Sequence, residues 1–250
     1  MKFQSGKLTL PNGGMHHLGA REEDIAEKVI LTCAEEDVPV IASYLEDAKE
    51  TAAHREYLTY KGTKNGKELA VTSVGHGCMP MAIAVEELNH LNVKTIVKTG
   101  TGQAILPGIR PGTVIVPSAA VRSEGATKEY VPESYPAVAN IPLLRKLVTA
   151  LKEEGIEPMV GYVRTHDGFY TEQPSDPEGP ARIAKWAKLG VLLNEHECSS
   201  MFVISEILKL NAAAVIVAEE NVADGTALDP EEKKNILDKI YKAVVKVLSE

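Results

Sequence analysis

The chain has few of the residues that mark disulfide scaffolds and membrane proteins. Its three cysteines, Cys33, Cys78 and Cys198, are far apart and form no Cys-x-x-Cys motif. This spacing indicates neither a disulfide framework nor a zinc site, and it favours a reducing compartment. No apolar run approaches the roughly 18 residues of a membrane span, and residues 1–11 lack the apolar core of a signal peptide. We therefore expect a cytoplasmic protein with no metal and no membrane contact.

Basic residues are also in deficit. The chain has 27 Lys and Arg against 35 Asp and Glu, a formal net charge of −8. Non-specific nucleic-acid binding requires a basic face, so no nucleic-acid partner is expected. Aromatic residues make up only 5% of the chain, but hydrophobic residues reach 44%, enough for a full core. A length of 250 residues suits one α/β domain, predicted here to span 1–250.

Short β-branched runs alternate with helix-patterned segments along the chain. The near-continuous apolar character of the runs is typical of strands buried on both faces. The predicted strands are Val29–Thr32, Leu69–Val74, Thr95–Thr99, Thr113–Val116, Val160–Val163, Val191–Asn194 and Ala213–Ala218. The predicted helices are Glu36–Leu45, Pro80–Leu91, Ile141–Glu154, Glu178–Leu189, Glu197–Lys209 and Pro230–Leu248. This alternation predicts an α/β fold, a three-layer αβα domain with a central mixed, largely parallel sheet.

Two segments between these elements are predicted as turns or loops. Residues 171–180 contain three prolines and are expected to form a loop beside a site. Gly75-His76-Gly77 follows a predicted strand and precedes a helix. Because a lone Gly-x-Gly is weak evidence for phosphate binding, we interpret this motif as a tight turn.

The segment Glu195-His196-Glu197 is the most informative motif. An apolar run ends there at two carboxylates one residue apart, and a helix-patterned segment follows. Alternate residues of an extended segment point the same way, so both acids are expected to face a cleft at the carboxyl end of a strand. A carboxylate there accepts hydrogen bonds from adjacent hydroxyls, as binding of a sugar diol requires. The alternative is a solvated turn with acids near a helix N-terminus.

Eight segments, in order and covering most of the chain from about 16 to 224, resemble one known family. They are His16-His17-Leu18-Gly19; His54-Arg55-Glu56-Tyr57; Val74-Gly75-His76-Gly77 with Ile83-Ala84-Val85-Glu86-Glu87-Leu88; Gly100-Thr101; Ala120-Val121-Arg122 with Gly125-Ala126; Tyr135-Pro136-Ala137-Val138-Ala139; Asp167-Gly168-Phe169-Tyr170 with Gln173; and Glu195-His196-Glu197. Together they resemble the nucleoside phosphorylase family, closest to its uridine phosphorylase branch.

The resemblance implies reversible phosphorolysis of a nucleoside to a free base and (deoxy)ribose 1-phosphate. It implies ribose-binding roles for Glu197, which would take the 2′- and 3′-hydroxyls, and for Glu195. His196 stands where the family has a methionine that packs against the sugar. His17 would reach the 5′-hydroxyl from a neighbouring subunit. Without the resemblance, the alternative is that His17 belongs to a flexible polar terminus.

For the base, the resemblance implies stacking on Phe169 and pairing with Gln173, with Gly102 and Gln103 alongside. Ser175 stands where uridine phosphorylases carry an arginine. Glu220 aligns with the aspartate that protonates the base in purine-directed relatives, and a partly desolvated acid there would serve as general acid. Glu219 and Asn221 are its neighbours; the alternative is a loop of two solvated acids.

For the phosphate, the resemblance implies contacts from Arg55 of a partner subunit, Lys98 and Thr101. Cys33 replaces the glycine of the family's phosphate-binding turn, and Asp37 occupies the position of its arginine. A carboxylate in place of a guanidinium reverses an attraction worth about 4 kcal/mol at 4 Å and an effective dielectric near 20. Lys98 also replaces an arginine and lacks its bidentate fork.

The sequence therefore predicts a pentosyltransferase acting on uridine or a purine nucleoside, with phosphate as co-substrate and no cofactor. Arg55, Lys98 and Glu220 are the predicted catalytic residues. The substitution at Asp37 leaves two alternatives open, a hydrolytic nucleosidase and a catalytically silent nucleoside-binding protein. Because Arg55 and His17 would act across a subunit boundary, the resemblance implies a homo-oligomer, with a dimer as the minimum and a hexamer as the larger assembly.

Overall fold

The computed structural model describes residues 6–172 and 176–250. Within them, the strands are β1 Lys28–Thr32, β2 Glu46–His54, β3 Tyr57–Lys64, β4 Lys67–Ser73, β5 Thr95–Ala104, β6 Val114–Ser123, β7 Ala137–Val138, β8 Met159–His166, β9 Leu193–Glu195, β10 Asn211–Asn221 and β11 Thr226–Ala227. The α-helices are α1 Asp37–Ala42, α2 Cys78–His90, α3 Ile141–Glu153, α4 Gly179–Lys188, α5 Cys198–Leu208 and α6 Pro230–Ser249. No helix among these residues is long and apolar enough to cross a membrane.

The strands form one mixed sheet. Its order is β11-β10-β6-β8-β9-β5-β1-β4-β3-β2, and an additional pairing joins β10 to β5. That pairing closes β10, β6, β8, β9 and β5 into a ring. Four strands form a parallel set, in which β4 pairs with β1, β1 with β5, and β5 with β10. The mixed α/β fold predicted from the sequence is confirmed, and the carboxyl ends of these four strands lie at one edge.

All seven predicted strands and six predicted helices are present, with shifted ends. Strands β5 and β6 are each longer than predicted because they continue through polar residues after their apolar halves. The predicted loop 171–180 is only partly a loop, since α4 begins at Gly179 and contains Pro180 in its first turn. The last helix is capped as expected: Asp229 Oδ1 accepts hydrogen bonds from the backbone N–H groups of Glu231 and Glu232 at 3.0 and 3.2 Å.

The hairpin of β2 and β3 was not predicted from the sequence. These strands pair antiparallel, from Glu46 opposite Thr63 to His54 opposite Tyr57, with register shifts near Lys49 and Ala52. None of the β2 residues is fully buried. A search for apolar runs cannot find such a strand, because antiparallel strands at the border of a sheet need only one half-buried face.

Gly102 marks a close approach of two strands in the ring. A Cβ atom on it would lie 2.5 Å from Leu193 Cδ2 and 2.7 Å from the Asn194 carbonyl oxygen. Strand β5 bends onto β9 here, with Gln103 paired to Asn194. The absence of a side chain at Gly102 therefore lets β9 pair with β5.

We expect Gly102→Ala to lower the free energy of unfolding by about 2 kcal/mol, because overpacking against backbone forces the strands apart. Gly125→Ala is the matched control, since its Cβ would meet Asp167 Oδ2 at an ordinary 3.7 Å. Urea unfolding of both variants measures the difference. Equal stabilities would show that the approach at Gly102 is not tight.

Candidate active site

One cavity of about 580 Å³ opens at the shared carboxyl edge of β1, β5 and β10. Its volume lies in the range of small-molecule sites, and the carboxyl edge of a sheet is where α/β proteins bind ligands. The described residues that line it are Thr32, Cys33, Ala34, Glu36, Asp37, His76, Gly100, Thr101, Gly102, Gln103, Phe169, Asn194, His196, Glu197, Glu219, Glu220, Ala227, Leu228, Lys233, Leu237 and Tyr241.

Glu197 is the N-cap residue of α5 and reaches the cavity from a buried position. The residue is 2% exposed. Its Oε1 accepts a hydrogen bond from the Gly77 N–H at 2.8 Å, and its Oε2 lies 2.8 Å from Lys98 Nζ. A carboxylate offers about four lone-pair sites. The Cys33 thiol also hydrogen-bonds Glu197, and together these contacts fix the orientation of the carboxylate.

Glu195 does not line the cavity, so the expected pair of acids splits into two roles. Its Oε2 accepts hydrogen bonds from the Glu197 and Cys198 N–H groups, both at 2.8 Å, and its Oε1 accepts from the Thr165 hydroxyl. These contacts satisfy donors at the start of α5, where a carboxylate is favoured. The alternative of a solvated turn is wrong, because Glu195 is 1% exposed.

Lys98 lies beneath Glu197 and is 1% exposed. Burial alone would lower the pKa of its ammonium, but Glu197 outweighs that effect and holds the pKa well above its ordinary value. Burial would likewise raise the pKa of Glu197, and Lys98 with the Gly77 N–H holds it below its ordinary value. Lys98 Nζ is also 3.6 Å from Glu195. The expected phosphate-binding lysine is therefore a buried counter-ion that is not among the cavity-lining residues.

An aromatic group and a polar pair lie at another part of the cavity. The ring of Phe169, 47% exposed, lies 5.2 Å from the ring of His196 with an interplanar angle of 37°. His196 Nδ1 donates to the His166 carbonyl oxygen at 2.6 Å, which leaves Nε2 for other contacts. The Gln103 amide donates to Glu220. Gln173, which is predicted to bind the base, lies outside the described residues, as does Ser175, which stands where uridine phosphorylases carry an arginine.

The segment after β1 presents acids where the family resemblance implies an arginine. Asp37 accepts a hydrogen bond from the Thr32 hydroxyl at 3.1 Å. Burial raises the pKa of Asp37, and the Thr32 hydroxyl partly opposes that shift. Lys233 of α6 lines the same cavity and lies 2.6 Å from Glu219. Thr101 also hydrogen-bonds Glu219.

Arg55 and His17 lie away from the cavity of their own chain. Arg55 occupies the exposed turn between β2 and β3 with φ of 56°. His17 Nδ1 lies 2.9 Å from Glu87 Oε1, and the His17 N–H donates to the same carboxylate. Neither residue is among those that line the cavity of its own chain.

Three residues that line the cavity were not predicted from the sequence: Asn194, Lys233 and His76. Asn194 donates through Nδ2 to Glu172 at 2.9 Å, and its buried Oδ1 has no partner. Lys233 falls on the polar face of α6, which resembles an ordinary solvated face. The one available signal was His76, whose flanking glycines were interpreted only as a turn. Strand β4 ends at Ser73 and α2 begins at Cys78, which confirms the turn.

The fold and the cavity define an α/β protein with a small-molecule site at the carboxyl edge of its sheet. Residues 27–250 match the family model described as the phosphorylase superfamily. The chain therefore belongs to the phosphorylase superfamily, and its relatives place it in the uridine phosphorylase branch, as the sequence motifs predicted.

Similar proteins come from archaea and bacteria. Uridine phosphorylase from Thermococcus kodakarensis is 32% identical over 257 aligned positions, covering 100% of this chain and 92% of that protein. Guanosine phosphorylase from Halorubrum lacusprofundi is 31% identical over 209 positions, covering 84% of each. A crystal structure of uridine phosphorylase from Vibrio fischeri superposes with a TM-score of 0.85 at 27% identity, covering 94% of this chain and 95% of that one.

Proposed function

We propose that this protein catalyses the phosphate-dependent cleavage of the N-glycosidic bond of uridine or a purine nucleoside, releasing a free base and (deoxy)ribose 1-phosphate. The observation that carries the proposal is the position of Glu197. Its carboxylate is fixed by Gly77 and Lys98 in the same cavity as the Phe169 ring. A sugar held by one group and a base held by the other fit a cavity of this size.

In this reaction Glu197 accepts hydrogen bonds from the ribose 2′- and 3′-hydroxyls. Lys98 and Glu195 act as positioning residues: Lys98 keeps Glu197 ionised, and Glu195 holds the turn that presents it. An ionised acceptor makes the stronger hydrogen bond. His196 lies beside the sugar, and its Nδ1 already donates a hydrogen bond to the His166 carbonyl oxygen.

The base stacks on Phe169, which lines the cavity, with Gly102 and Gln103 along its edge. Glu220, oriented by the Gln103 amide, donates a proton to the departing base. The family resemblance gives Gln173 the role of pairing with the base. Without such proton donation, a purine anion leaves slowly from an oxocarbenium-like transition state.

The phosphate binds beside Thr101, and Arg55 and His17 enter from a partner subunit. This arrangement makes a homodimer the smallest active unit. Lys233 also lines the cavity. Its positive charge lowers the pKa of Asp37, which burial raises, so this cation lies near Asp37. The uridine and guanosine phosphorylase relatives favour this reaction over hydrolysis and over a silent binding protein.

The test is base release from uridine, inosine and guanosine, each with and without phosphate. We expect release only with phosphate, together with stoichiometric ribose 1-phosphate. Equal release without phosphate would mean hydrolysis. No release, with thermal stabilisation by the nucleoside, would mean binding without catalysis.

A composite site also predicts complementation between two inactive variants. Arg55→Ala and Glu220→Gln, co-expressed with different affinity tags, are expected to give mixed dimers with one intact site. With random pairing across an isologous interface, about half of all dimers are mixed, so the unfractionated mixture would recover about a quarter of wild-type activity. Each variant purified alone is the control. No recovery in the mixed dimers would place Arg55 outside the site.

A further inference from the structure

Three side chains of metal-ligand type meet in the cavity. Cys33 Sγ, a ring nitrogen of His76 and a carboxylate oxygen of Glu197 all lie within 4.8 Å of one another. They come from the segment after β1, the turn between β4 and α2, and the N-terminus of α5. Their wide separation in the sequence hid the cluster from any spacing motif.

The backbone holds two of these ligands in place. Gly75 and Gly77 flank His76 with φ of 71° and 99°, a conformation that favours glycine. The Gly77 N–H donates to Glu197 at 2.8 Å, so the turn that carries His76 is tied to the carboxylate. Such support around ligands is what a metal site requires.

The charge around the cluster favours a cation. The Cys33 thiol hydrogen-bonds Glu197 and lies near the charges of Glu195 and Lys98. Glu195, Glu197 and Lys98 together carry one net negative charge. A divalent cation with the ionised thiol adds one positive charge and cancels it. Elsewhere in the cavity, Glu36, Asp37 and Glu220 add further acids.

We propose that Cys33, His76 and Glu197 bind a divalent transition-metal ion of the zinc class. Thiolate, imidazole and carboxylate are the three ligand types that Zn²⁺ takes, and a three-ligand site leaves one position open toward the cavity. Hard ions such as Mg²⁺ and Ca²⁺ prefer all-oxygen sites and are not expected here.

One consequence rests on the function proposed above. Gly77 and Lys98 occupy two of the four lone-pair sites of Glu197, so a metal leaves too few for a ribose diol. The metal and the nucleoside then compete. Zn²⁺ is expected to raise the nucleoside KM without changing kcat, and a chelator should reverse the effect.

The first test is titration of the chelator-treated protein with Co²⁺ in the absence of nucleoside. We expect one equivalent per chain with a thiolate-to-cobalt charge-transfer band. Cys33→Ser should abolish the band, and His76→Gln should weaken binding by about 100-fold. Cys78→Ser is the matched control, because Cys78 is a buried thiol outside the cluster.

Absence of the band in the wild-type protein, or its survival in Cys33→Ser, would overturn the metal site. His76 is exposed, so its variant is expected to fold, and thermal unfolding checks this. The second test measures nucleoside KM with and without Zn²⁺ in wild type and Cys33→Ser. An unchanged wild-type KM would overturn the competition. A protein that binds Co²⁺ but releases no base would contradict only the proposed function.

Discussion

Replacing Glu197 with glutamine is expected to lower kcat/KM for a nucleoside by about 10²- to 10⁴-fold, because two charge-assisted hydrogen bonds of about 1.5–3 kcal/mol each are lost. The same change should lower the free energy of unfolding by about 3 kcal/mol, since it leaves Lys98 buried without its nearest counter-ion. Glu195, 3.6 Å away, compensates in part. Steady-state kinetics and urea unfolding measure the two effects.

The control separates lost recognition from lost stability. In the double variant Lys98→Met with Glu197→Gln, no buried ammonium remains, and Glu195 keeps its three hydrogen-bond donors. Most of the stability should return while activity stays low. Wild-type nucleoside affinity in Glu197→Gln would remove the sugar-binding role. Because Glu197 and Lys98 form a buried pair, Glu197→Ala is also expected to destabilise the fold.

Glu220→Gln should lower kcat on a purine nucleoside by about 10²- to 10³-fold, because the variant cannot donate a proton to the base. The nucleoside KM should change little, since glutamine can still accept the Gln103 hydrogen bond. Steady-state kinetics with inosine and guanosine measure both parameters.

Glu219→Gln is the matched control for the adjacent acid. Glu219 is the residue at the register shift of β10 and forms an ion pair with Lys233. Its pair is partly exposed, so the change should cost under 1 kcal/mol of stability and leave kcat unchanged. If Glu219→Gln lowers kcat and Glu220→Gln does not, the proton donor is Glu219.

The sequence predicted most of the α/β framework for a simple physical reason. Strands β1, β5 and β10 are apolar on both faces, and helix α6 carries one apolar stripe, so each pattern has a single period. The hairpin β2–β3 escaped because half-exposed strands have no such pattern. The ring closure between β5 and β10 depends on pairings between distant segments, which no local pattern encodes.

The cavity shows the same division. The Glu195-His196-Glu197 motif and Phe169 could be selected because their residue types suit a sugar and a base. Their roles could not be separated, because adjacent carboxylates look alike in sequence. Only the hydrogen-bond partners show that Glu197 faces the cavity and Glu195 holds the start of α5.

The sequence by itself determined the class of fold, the family and the residues at the carboxyl edge of the sheet, because these follow from periodicity and local motifs. The tertiary structure alone decided that Lys98 is a buried counter-ion, that Cys33 and His76 adjoin Glu197, and that the cavity is rich in acids. Burial and charge pairing arise between residues distant in the chain, so both depend on how the strands pair to form the ring.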